Sequence, residues 1–148
     1  MLLDAGGFDV ALTSSEDRDL WIRCAMRSGV LLLGERLVRK RRHGSNMSSH
    51  AERQSRNIRA VLAKARAAGV VSASDIPFWT AAWSVYHYQT ALMQQGGGRH
   101  LIALSHLAAS TLLHPCFFHP SHFRQPAGFR LRAAARSVRS LLLPGGRK

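Results

Sequence analysis

Acidic residues are scarce and unevenly placed. Of eight, six lie in residues 1–35 beside three basic residues, and residues 36–148 hold two acids against eighteen Lys and Arg. A formal charge of +13 requires some surface to face phosphates, anionic lipid or another acidic group, without saying which, and the asymmetry implies that the two ends of the chain do different work. Cysteine is also rare. Cys24 and Cys116, each among apolar neighbours, cannot build a disulfide scaffold or a four-ligand zinc site, so a reducing, cytoplasmic setting is expected. Twelve glycines and five prolines are too few for a linker or collagen-like chain. The start, with Asp4 and no basic stretch before an apolar run, does not read as a signal peptide. The longest uncharged stretch, Leu101 to Phe123, is interrupted by His106, His114, His119, His122, Pro115 and Pro120 and makes a poor membrane span. What is present, 46% hydrophobic and 20% charged residues, suits a globular chain.

Residues 1–50 alternate short apolar pieces with polar punctuation, whereas residues 51–148 read as helices separated by Gly and Pro, which places a boundary near Ser48 to Ala51. In the first part Ser14 or Ser15 is expected to cap a helix from Glu16 to about Arg27, stopped by Gly29. Val30 to Leu33 and Leu37 to Arg41 read as one or two short strands. Beyond the boundary, Ile58, Val61, Leu62 and Ala65 recur at helical spacing over Glu52 to Ala68. A helix is expected after Ser74-Asp75-Ile76-Pro77 as far as Gly96-Gly97-Gly98, and another from Arg99 to Leu113, the two forming one hairpin of the tetratricopeptide type. Trp79, Trp83, Tyr86 and Tyr88 read as its core rather than a base-stacking platform. Phe129 to Leu143 reads as a basic, partly amphipathic helix with Arg130, Arg132, Arg136 and Arg139 on its polar side.

The informative pieces are Gly6-Gly7-Phe8-Asp9, then Glu16-Asp17-Arg18-Asp19-Leu20-Trp21-Ile22-Arg23, then the basic run Leu37 to Arg42 with His43. Three acids within four positions at a helix start have a structural role available, because carboxylates there complement the helix dipole and Ser14 with Asp17 can form a variant capping box. They have a chemical role too: one carboxylate can serve as an exposed general base. Asp19 stands four residues before Arg23, the spacing of a helical ion pair. Gly6-Gly7 permits a tight backbone turn. Arg41, Arg42 and His43 can act as phosphate partners and an imidazole ligand, or can form a solvated basic loop.

In order and spacing these pieces closely resemble the C-terminal half of family 2 glycosyltransferases, over residues 1 to about 50. The resemblance implies an α+β fragment, the C-terminal part of a nucleotide-sugar transferase fold, in residues 1–50, followed by a mainly helical extension in 51–148. It implies transfer of a sugar from a nucleotide-sugar donor to a saccharide, lipid-linked or protein acceptor. Asp17 is then the base that deprotonates the attacking hydroxyl, with Glu16 positioning the acceptor. Gly6, Gly7, Asp19, Trp21, Arg41 and Arg42 line the substrate side, and His43 approaches the diphosphate or metal. A divalent ion, Mg or Mn, is expected only in the complete enzyme. Asp17-Arg18-Asp19 is not the family's metal motif, which belongs to an N-terminal nucleotide-binding half expected on a separate chain, lost by truncation or left out by a mis-set start codon. Alone, the chain is expected to bind nucleotide sugar poorly.

Two competing readings follow from charge. A nucleic-acid-binding module would use the basic excess beyond residue 35, although no recognisable motif supports it and the basic residues are spread over several helices. A peripheral membrane module would lay Phe129 to Leu143 on the inner face of the cell membrane, a role compatible with glycosyl transfer. Apolar faces left open by an absent sheet would be covered by a homodimer or by a separate N-terminal half.

Overall fold

The computed structural model describes residues 2–31, 33–35, 37, 50–116 and 128–143. They hold five helices: α1 (Glu16–Ala25), α2 (Ala51–Ala67), α3 (Ile76–Gly96), α4 (His100–Leu113) and α5 (Phe129–Leu142). No strand occurs among the described residues, which overturns the expectation of an α+β fragment. Val30, Leu31 and Leu33 are 69%, 84% and 63% exposed and take no regular conformation. An apolar run becomes a strand only where a neighbour satisfies its N–H and C=O groups, and none lies beside this one among the described residues. Of the second expected strand, Leu37 is exposed and irregular, and residues 38–41 lie outside the described residues.

The chain divides into two compact units, Met1–Ser72 and Ala73–Lys148. The compositional change at Ser48 to Ala51 marks the start of α2, and the division between units comes after that helix. In the first unit α1 packs on α2, burying Leu12, Leu20, Ile58, Val61 and Ala65. The expected serine cap takes a different form. Ser15 occupies the N-cap with φ 62° and caps nothing with its side chain, while Ser14 Oγ, buried, accepts from Asn57 Nδ2 of α2 at 2.8 Å. A long-range partner has claimed the hydroxyl that local rules assign to the helix start. Gly69, at φ +69°, follows the end of α2.

In the second unit α3 and α4 form the expected hairpin, and α5 packs mainly on α4. Asp75 Oδ1 accepts from Phe78 N at 3.0 Å and Pro77 sits in the first turn of α3, so the start follows N-cap rules. Tyr88, Ala91, Ala103, Leu107, Phe129 and Ala133 form the core, with Tyr88 meeting Phe129 edge to face at 4.7 Å. Trp79 and Tyr86 are buried as well.

Arg130 departs from the amphipathic reading of α5. Rather than joining the polar face it is buried, donating from Nε to Ser110 Oγ at 2.9 Å, from Nη2 to Ser84 Oγ at 2.7 Å and from Nη1 to the Cys116 carbonyl at 2.9 Å. Ser84 Oγ in turn donates to the Ser110 carbonyl, and Ser110 Oγ to the Ser84 carbonyl, each at 2.8 Å. Burial pushes the guanidinium pKa below its usual value.

Candidate functional site

The segments that carry the resemblance come together in the first unit around Arg23. Gly6 and Gly7 both adopt positive φ, 80° and 64°, a conformation that excludes a β-carbon at little cost only in glycine. The turn they make aims backbone carbonyls at α1. Arg23 donates from Nη1 to the Ala5 carbonyl and from Nη2 to the Gly7 carbonyl at 2.7 Å. Its Nε and Nη2 also bind Asp19 Oδ2 at 2.9 and 2.7 Å, so the helical pair expected from spacing does form. One guanidinium therefore ties the Gly-Gly turn to the first turn of α1.

Lys64, on α2, completes the framework. Its Nζ lies 2.7 Å from Asp19 Oδ1 and 2.7 Å from Asp9 Oδ2, and Asp9 Oδ1 accepts from Ala11 N at 2.9 Å. The hydrogen bonds to Asp19 and Asp9 raise the Lys64 pKa, and Lys64, followed by the Ala11 N–H, holds the Asp9 carboxyl below its ordinary value. Asp19 is buried with both oxygens engaged by Arg23 and Lys64, so its carboxylate holds the framework together.

Asp17 and Trp21 are exposed, one helical turn apart on α1. Asp17 Oδ1 accepts from Arg18 N at 2.8 Å, and its carboxylate faces outward. Between them in character is Glu16, half-buried, whose Oε2 is buried with no hydrogen-bond partner among the described residues. Trp21, 63% exposed, joins Arg18, Ile22, Val30, Ile58, Val61 and Leu62 around an apolar groove of about 400 Å³. Acids and groove thus occupy adjoining parts of one helix.

Asp17-Arg18-Asp19 does not present two carboxylates to one cation, since Asp19 is turned inward and neutralised. Among the described residues no group of three or more His, Cys, Asp or Glu side chains is placed to hold a metal. Arg41, Arg42 and His43 lie outside the described residues. No helix among the described residues is long and apolar enough to cross a membrane. Sequence reasoning singled out Arg23 by its spacing from Asp19, but passed over Lys64 and Asn57, whose partners lie more than forty residues away. Comparison with family models, with curated proteins and with solved structures finds no match.

Proposed function

We propose that the chain serves glycosyl transfer from a nucleotide-activated sugar to a saccharide, lipid-linked or protein acceptor, with Asp17 as general base. The observation that carries the reading is the outward carboxylate of Asp17 one helical turn from the exposed indole of Trp21, which borders an apolar groove. Glu16 would receive a hydroxyl of the acceptor sugar and fix its orientation, while Asp17 removes the proton from the attacking hydroxyl as the bond to the anomeric carbon forms and the nucleoside diphosphate departs. Trp21 offers the face of an indole to the apolar face of a pyranose one turn along the helix. Arg23, through Asp19 and the Gly6-Gly7 turn, holds both acids in register.

A divalent metal would supply charge neutralisation at the departing diphosphate. By the resemblance His43, with Arg41 and Arg42, would stand on that side, and these three lie outside the described residues. Free Cys24 and Cys116 are in keeping with a reducing, cytoplasmic setting.

The test is release of nucleoside diphosphate by the full chain from a panel of uridine- and guanosine-diphosphate sugars, with simple saccharides as acceptors. Asp17→Asn is expected to lower turnover by about 10²–10⁴-fold. A donor-independent readout is Trp21 emission on titration with saccharides in a Trp79→Phe, Trp83→Phe background. Absence of any saccharide-dependent change in Trp21 emission, or undiminished release by Asp17→Asn where the unaltered chain releases diphosphate, overturns the reading.

A further inference from the structure

The solvent side of α5 carries a feature that glycosyl transfer does not use. Four residues of this helix, Phe129, Arg130, Ala133 and Ser137, face the core. On the opposite side Leu131, Val138 and Leu142 recur at intervals of seven and four, with Ala135 between them, and the three large residues are 67%, 44% and 74% exposed. Arg132, Arg136 and Arg139, all exposed, run along one flank of this stripe. One face of the helix is therefore spent on the core, and a second, apolar one is turned to water beside a row of guanidinium groups.

We propose that this outer face of α5 docks on an anionic lipid bilayer, lying flat with Leu131, Val138 and Leu142 at the acyl boundary and Arg132, Arg136 and Arg139 at the headgroup phosphates. Charge complementarity identifies the partner. From residue 73 onward the chain has eight Lys and Arg against a single acidic side chain, Asp75, so the balance of this unit strongly favours an anionic surface. A nucleic acid would take the arginines but offers no apolar phase for exposed leucines, whereas the interface of an anionic bilayer accepts both. With fourteen residues and a length of roughly 21 Å, α5 lies on a membrane and does not span one.

Sedimentation of the full chain with vesicles decides the matter, using phosphatidylcholine alone and phosphatidylcholine mixed with phosphatidylglycerol. Pelleting is expected with the mixed vesicles, weakening as salt rises. Replacing Arg132, Arg136 and Arg139 together by Ala should reduce the partition on the order of a hundredfold, since each arginine near an anionic surface contributes about fivefold. Leu131→Ser with Leu142→Ser should reduce it by about tenfold or more while leaving the salt dependence in place. These positions face solvent, so circular dichroism should report unchanged helix content. Should either variant lose helix, the lipid and salt comparison on the unaltered chain gives the answer alone. Equal pelleting with neutral vesicles, no pelleting with either, or capture of duplex DNA without capture of vesicles overturns the proposal.

Discussion

Asp17 and Asp19 stand two positions apart and should respond to neutralisation in opposite ways. The Asp19 side chain is 4% exposed and its two oxygens receive Arg23 Nε at 2.9 Å, Arg23 Nη2 at 2.7 Å and Lys64 Nζ at 2.7 Å. Asn at this position keeps the shape but must turn its amide nitrogen toward one of the two cations, replacing an acceptor with a donor. Breaking a fully buried pair costs about 3–5 kcal/mol. Here the cationic partners are 27% and 43% exposed, so water recovers part of what they lose, and Arg23 keeps its bonds to the Ala5 and Gly7 carbonyls. A cost of about 2–3 kcal/mol follows for Asp19→Asn. Asp17, exposed and accepting from its neighbour's N–H, should change by about 0.5 kcal/mol or less on conversion to Asn. Urea unfolding followed by circular dichroism and tryptophan emission measures both. The Asp19 variant should lower the midpoint by about 1–2 M relative to the Asp17 variant. Equal midpoints would refute the assignment of Asp19 to the framework and of Asp17 to the open surface.

In the second unit, Ser110→Ala removes the acceptor of Arg130 Nε and strands a buried donor, so it should cost about 2–4 kcal/mol in urea unfolding. Arg130→Met leaves the two serine hydroxyls donating to each other's backbone carbonyls and should cost less than Ser110→Ala; the reverse order would show that the cation anchors the cluster. His106 Nδ1 lies 2.8 Å from His87 Nδ1, a distance that needs one of the two nitrogens to be an unprotonated acceptor, and burial lowers the His106 pKa from its ordinary 6.5. Because the folded state disfavours the charged form, the stability is present above pH 6.5 and is lost as pH falls below it. Thermal unfolding between pH 7.5 and pH 5 should reveal that loss, and His106→Gln should flatten it.

How far the sequence foretold the structure differs from element to element. The start of α3 was legible because Asp75 and Pro77 act within one turn of themselves, and the Asp19–Arg23 pair because helical spacing alone brings the two together. Features that depend on distant partners were not legible. Ser14 reads locally as a cap, yet Asn57 of α2 takes its hydroxyl. Arg130 falls among other arginines in a periodic pattern, and nothing nearby announces that Ser84 and Ser110 will receive it. Val30 to Leu33 has the composition of a strand, but a strand is defined by its neighbour, and composition says nothing of one. At the candidate site, the acids were visible as acids; which faces out and which is locked inward was decided by Lys64, far along the chain.

The reciprocal bonds between Ser84 and Ser110 fix the alignment of α3 along α4. Sliding one helix past the other by a turn would break both serine–carbonyl bonds and part Arg130 from the two hydroxyls, so the cluster favours the present register. The connection after α3, at Gly97 and Gly98, is consequently not the sole determinant of alignment. It can be lengthened, cut or replaced as the ends of a rearranged chain, with the two helices still finding the same partners.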